Sequence, residues 1–235
     1  MDDIRNNPGL SYSEYGMLTM IEGSSTWRAF HAAVSDKSNL TLLHHINMVL
    51  SSEKLISEVA LRSHKHQLGF IKYVLLVDGE GRSLRIHHWD TVEDGRMEDI
   101  HSHCAEFVSR VIYGALTENS FSSVQGNSCA RFRYRFDHIL NRSVAEPDGQ
   151  SEAILRTSQT LKAGDIYHRA PSDLHNVNQV ARGTLTVSAW NQRNHDALVL
   201  KNAGARSEDC CNQPGISPEK LWEGLMKIKE RILSQ

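Results

Sequence analysis

His101 and His103 stand two residues apart within the stretch Asp99 to Gly114, the spacing that puts two side chains on one face of a β-strand. Two neutral imidazoles so placed can share one metal ion. A third ligand has to come from elsewhere. The strongest candidate is His175, in the segment that opens at Gly164-Asp165 and passes Pro171. His168, four residues after Gly164, competes for that place. An isolated His-x-His is more often a pair of half-buried strand histidines bonded to backbone, so it is the second segment that favours a metal site.

Other residues near these could also do chemistry. In His87-His88-Trp89 one imidazole, taken as His88, could face the site as an acid or base, with a packing role as the alternative. Tyr167 could offer a phenol to a substrate oxygen, or sit in the core with its hydroxyl satisfied. Arg131, Arg133 and Arg135 alternate with Phe132, Tyr134 and Phe136. If the arginines point inward, Arg133 heads an anion clamp; if the aromatics do, the arginines form a solvated face, as the usual burial of apolar faces favours. Glu106 and Arg110, four apart, read as an outward charge pair. Cys104 and the vicinal Cys210-Cys211 have no partner base nearby and read as structural thiols.

The elements that must position these residues change character near Phe70. Before it, Ser24 to Val34, Leu40 to Leu50 and Ser52 to Arg62 have apolar residues at helical spacing, the first and third with serine caps at their starts. After it, residues 70–77 and 83–89 are strand-like and are joined by Asp78-Gly79-Glu80-Gly81, a hairpin signal. Further strands are expected over 99–104, 107–113, 115–121, 130–139, 152–161, 165–169, 174–180, 183–191 and 196–201. Many short strands separated by turns indicate an antiparallel barrel or sandwich. Residues 202–216 read as a loop, after which Ser217-Pro218-Glu219 caps a last helix. The stripe of Leu221, Leu225, Ile228 and Ile232 on that helix should lie on the barrel or on a partner, which leaves a homodimer open. The organisation expected is a helical segment (1–68), a β-barrel (69–201), and a loop with a C-terminal helix (202–235).

At this level the two histidine segments resemble the cupin family. Its first motif is a glycine, His-x-His, and a glutamate seven residues before a second glycine. Its second motif is Gly-Asp, a proline-containing turn, and a histidine eleven residues after that glycine. Here Gly95 precedes His101 by six, Gly114 closes the first motif, and His175 follows Gly164 by eleven. Phe107 occupies the glutamate position, leaving three histidines and no carboxylate. That ligand set, with the runs Leu76 to Trp89, Gly114 to Phe121 and Asp173 to Asn178, resembles the thiol dioxygenase branch, over roughly residues 70–192.

The resemblance implies a cupin jelly-roll barrel, mostly β, and an Fe(2+) ion held by His101, His103 and His175. It also implies O2-dependent oxidation of a small chelating molecule, by default a thiol to a sulfinate. It departs from the family at three points. No arginine stands near Val74 to hold a substrate carboxylate, the nearest cation being Lys72. Trp190 replaces the family's tyrosine, and Phe107 its crosslinked cysteine. A cupin working with another metal without O2, and a non-catalytic binding protein, are the alternatives.

Composition excludes several classes. A formal net charge of −2 over 235 residues lacks the basic excess of a nucleic-acid binder. Four cysteines without zinc-finger spacing are too few for a disulfide scaffold. The first residues have no signal-like apolar core, and no window is long enough to span a membrane. The expectation is a cytoplasmic protein whose partners are a small substrate and O2.

Overall fold

A computed structural model describes residues 23–66, 70–90, 98–137, 142–206 and 214–234. Gly95, Cys210 and Cys211 lie outside them. Three helices come first: α1 (Gly23–Ser35), α2 (Leu40–Leu50) and α3 (Glu53–Arg62). The Ser52 hydroxyl accepts the Leu55 N–H and so caps α3 as the sequence suggests. The strands are β1 (His64–Lys65), β2 (Ile71–Val77), β3 (Ser83–His88), β4 (Ile100–His101), β5 (Phe107–Tyr113) and β6 (Ala115–Asp137). They continue with β7 (Arg142–Lys162), β8 (Ile166–Arg169), β9 (Leu174–Asn178), β10 (Leu185–Trp190) and β11 (Ala197–Asn202), before helix α4 (Pro218–Leu233). No helix among the described residues is long and apolar enough to cross a membrane.

The strands form two antiparallel sheets, ordered β1-β2-β3-β10-β5-β8 and β11-β4-β9-β6-β7, with β11 also pairing β6. This is the jelly-roll barrel the sequence resemblance implies, mostly β, with helices at its N- and C-terminal ends. Three boundaries differ from expectation. His64 and Lys65 pair with Lys72 and Ile71 inside the segment read as helical. The strand expected over 99–104 is only Ile100 and His101. The short strands expected over 115–161 are instead one hairpin of 23 and 21 residues. Gly126 and Pro147, which read as strand breakers, are accommodated: register shifts fall between Val124 and Cys129 and between Ala130 and Phe132. Pro147 lies on β7, an edge strand where its missing N–H is tolerated.

The six-stranded sheet has two buried faces. Tyr73, Leu75, Leu84, Ile86, Leu185, Val187 and Ala189 face the helices and pack with Phe30, Leu42, Ile46, Val59, Leu225 and Ile228. Each fully buried side chain of this size contributes ~1.5–3 kcal/mol of transfer free energy. The α4 stripe Leu221, Leu225, Ile228 and Ile232 is at most 5% exposed, so the chain itself covers it. Arg110, expected as half of an outward pair with Glu106, is buried instead. It points at the helical layer, where it donates to the backbone oxygens of Val34 and Asp36 and to Asn39 Oδ1.

Two glycines of the histidine segments sit at turns that a side chain would strain. Gly114 (φ 80°) and Gly164 (φ 94°) both lie in the left-handed region. A Cβ on Gly114 would also run into the Thr184 backbone.

Candidate metal centre and its cavity

His101 closes β4, and its register partners are Val199 on one side and His175 of β9 on the other. The long β6 arranges this meeting. Its first part pairs with β9, setting Ser120 opposite His175, and its later part pairs with β11, which holds β4. His103 lies just past β4 in a turn, where its N–H reaches the Pro171 carbonyl in the second histidine segment. Three rings that are remote in sequence therefore meet, with centroids 4.7, 4.8 and 4.9 Å apart. One ligand atom from each lies within 4.8 Å of the others.

Two of the rings are oriented by a bond to their other nitrogen. His101 Nδ1 is 2.9 Å from the Asp99 carbonyl, which can only accept, so Nδ1 carries a proton and Nε2 is the nitrogen left to ligate. His175 Nδ1 is 2.9 Å from Glu118 Oε1. Glu118 is in turn gripped by Arg169, whose Nε donates to Oε1 at 2.8 Å and whose second nitrogen donates to Oε2. Burial works against ionising Glu118, but the bonds from His175 and Arg169 outweigh it and hold the carboxyl below its usual range. Burial, partly offset by Glu118, lowers His175 to about 4, and burial together with the other two rings pushes His103 well below the ordinary value. These two imidazoles are therefore neutral at pH 7, as metal ligation requires. His103 Nε2 and His175 Nε2 face one another at 2.7 Å. Two nitrogens sharing one ion at ~2.0–2.1 Å would stand roughly 3 Å apart, so the cluster fits a metal with only a slight opening.

Beside the rings lies a cavity of about 280 Å³. Phe107 stacks on Trp190 at 4.2 Å, and both present edges to His103 at 4.9 Å. Tyr167 and Lys72 also line the cavity. Burial pushes the Tyr167 phenol up, and Ser109 hydrogen-bonds it. Burial, then the charges of Arg85 and Arg193, bring Lys72 down to about 7.

The structure does not bring His88 to this cavity. His88 pairs with Leu185 and Ile71 on the helix-facing side of the sheet, and its neighbour His87 lines the cavity instead. Consecutive strand residues point to opposite faces, so only one of the pair could. Arg133 also points away: its side chain is 44% exposed and its nitrogen is 3.3 Å from Asp148. Phe132 is buried and Tyr134 lines the cavity, so the apolar face turned inward. His168 is 59% exposed on its side chain, 3.7 Å from Glu106, and takes no part in the cluster.

No family model and no curated protein matches the chain. Among solved structures, an oxalate oxidase in complex with the substrate analogue glycolate is 15% identical, with a TM-score of 0.34, covering 56% of this chain and 55% of that one. This chain thus spans about half that protein's length. An uncharacterised protein with a double-stranded β-helix domain from Klebsiella pneumoniae is 17% identical, with a TM-score of 0.34, over 63% of this chain and 95% of that one. An oxalate decarboxylase formate complex from Lactobacillus farciminis is 13% identical, with a TM-score of 0.35, over 68% and 40%. These likenesses are distant, and no activity transfers with them.

Four residues at or behind the cavity have no role in the sequence reading. Arg85 pairs in register with Val74, the position near which the resemblance places an arginine. The guanidinium is supplied from the next strand, and its Cζ lies 4.1 Å over the Trp190 ring. Alternation could have found it, since Ser83, Arg85 and His87 are in phase while Leu84 and Ile86 form the other face. Glu118 and Arg169 are 51 residues apart, and nothing local links them. Glu98 is a buried carboxyl that lines the cavity, with Oε1 3.9 Å from His101 Nε2 and Oε2 accepting the Val177 N–H. Burial raises it above the usual carboxylate range.

Proposed function

We propose that the chain is a mononuclear non-heme iron(II) dioxygenase whose ion is held by His101, His103 and His175. Its reaction is the oxidation of a small chelating substrate by O2, with thiol to sulfinate as the default. The observation that carries this reading is the meeting of three imidazoles with nitrogens turned toward one another. Two of those rings are aimed by partners on their far nitrogens, the usual arrangement of ligating histidines. Three neutral ligands leave coordination positions for a chelating donor and for O2, and the chemistry iron(II) supplies there is O2 activation beside that donor. The overall conversion balances without another reductant. One O2 places both its atoms on sulfur, the S–H bond is lost, and its proton leaves.

The remaining work falls to the chain. Glu118 and Arg169 hold the His175 ring in one tautomer. Phe107 and Trp190 wall the rings from water on one side, which strengthens every electrostatic contact inside. Tyr167 stays protonated through the physiological range and can donate to an oxygen that gains charge on sulfur. Lys72 and Arg85 hold the substrate's acidic end. The test is O2 uptake by protein purified without chelators and screened against small thiols. Uptake that requires the thiol, and disappears in His101→Ala, His103→Ala and His175→Ala, is the expected result. Turnover unchanged under anaerobic conditions would instead mean a metal-dependent reaction without O2, and biological activity surviving metal loss would mean a binding protein.

A further inference from the structure

Three neutral imidazoles leave a divalent ion with its whole charge, and a charge taken out of water is costly unless an opposite one faces it. Glu98 is the acid placed to do so. It stands three residues before His101, at the approach to β4, and its side chain is 9% exposed. Its Oε2 accepts the Val177 N–H, and its backbone carbonyl accepts the Asn176 side-chain amide at 3.2 Å. Asn176 is itself held by the Asn119 amide at 3.0 Å. Val177 and Asn176 lie on β9, so the strand that carries His175 also fixes Glu98. The position where the resemblance places a carboxylate holds Phe107, whose ring meets His103.

Glu98 Oε1 receives no hydrogen bond among the described residues, and it lies 3.9 Å from His101 Nε2, the nitrogen left to ligate. Donors on one ion at ~2.0–2.2 Å can stand up to roughly 4.3 Å apart, and this pair is inside that limit. Of the charges that face Glu98, His101 favours its ionised form, and Asp99 and Glu118 oppose it. Lys201 pairs with Asp99 and Arg169 with Glu118, so neither cation is given to Glu98. A carboxylate buried in such company is answered best by a metal ion. We infer that Glu98 is a fourth ligand of the ion, monodentate through Oε1. The carboxylate thus comes from before His101 rather than from position 107. Two positions of an octahedral shell stay open in the resting site, and a chelating substrate that needs a third takes it from Glu98. This deepens the proposed function and rests on its placing of the ion at the three histidines.

The test is titration of the full chain, stripped of metal, with Co(2+) alone, followed by its visible absorption. Wild type is expected to take up one Co(2+). In folded Glu98→Gln the ligand-field bands should shift and the affinity fall about tenfold or more. The glutamine keeps an oxygen for the Val177 N–H, so a purely structural role would move neither reading. Glu98→Asp, as a second variant, draws the carboxylate back by one methylene and should shift the bands as well. Bands that stay unchanged in the folded variants, or an affinity within about twofold of wild type in Glu98→Gln, would overturn the inference. If His101→Ala still abolishes binding in that case, the three-histidine centre stands and only the fourth ligand fails. Wild type that binds no Co(2+), or binds it no better than His101→Ala, would overturn both.

Discussion

The two faces of the six-stranded sheet are built from alternating residues of the same strands, yet they are put to opposite uses. Toward the helices, Leu84, Ile86, Leu185, Val187 and Ala189 are completely buried in an apolar layer. Toward the barrel interior, Arg85, His87, Thr186, Ser188 and Trp190 line or back a cavity that the chain's own side chains do not fill. One face stabilises the fold, and the other holds charge at a cost that a ligand can offset. Variants of neighbouring residues should therefore behave differently.

The largest separation between function and fold is expected at the centre. His175→Ala removes one of the three proposed histidine ligands, and its loss of metal affinity should exceed the ~100-fold that losing an outer partner costs. Metal titration checks this. On the opposite face, Leu225→Ala at a completely buried position should destabilise the chain by ~2–5 kcal/mol in urea unfolding, with metal content per folded chain unchanged. Next comes Glu118→Gln, which keeps the shape but weakens the grip on His175 Nδ1. Metal affinity should fall ~10–100-fold, while Arg169, left facing a neutral amide, adds a smaller loss of stability.

Acid sharpens the comparison further. His45, His64 and His175 are each lowered by burial to about 4. Their folded values lie below the unfolded value of 6.5, so on acidification the unfolded chain binds these protons first. Their stabilisation is complete above pH 6.5 and is lost progressively down to about pH 4. The slope is at most ~1.4 kcal/mol per pH unit per histidine. Unfolding of metal-free protein between pH 7 and 4 measures it, and a flat profile would contradict the buried, neutral assignment. The smallest effect on stability is expected at Lys72→Met, within ~1 kcal/mol of wild type or above it, since removing a half-buried cation beside Arg85 relieves repulsion.

The same contrast explains what the sequence could and could not reveal. The meeting of His101, His103 and His175 is readable because the spacing is local within each segment and the glycines that set the turns, Gly114 and Gly164, accompany them. The β2–β3 hairpin was readable from Asp78 to Gly81. His88 reads as the cavity residue only until Leu84 and Ile86 are considered, whose phase puts His88 on the helix side. A polar row on a strand usually means solvent, and here it means a cavity, because both faces of β3 are covered. The opposite holds for Arg131, Arg133 and Arg135, where the ordinary rule applies and Phe132 and Tyr134 turn inward. The Glu118–Arg169 grip arises from pairing among β6, β9, β5 and β8, and a single chain carries no local mark of such pairing. The long hairpin was hidden because bulges absorbed the residues that normally end strands.

One ion held by rings from two distant segments is what the proposed chemistry requires. Metal analysis of the chain purified without chelators, beside His101→Ala, His103→Ala and His175→Ala, tests that most directly. One divalent ion per wild-type chain, and close to none in each folded variant, is the predicted result. Wild-type protein that binds no ion under any loading condition, or variants that keep it at full stoichiometry, would contradict it.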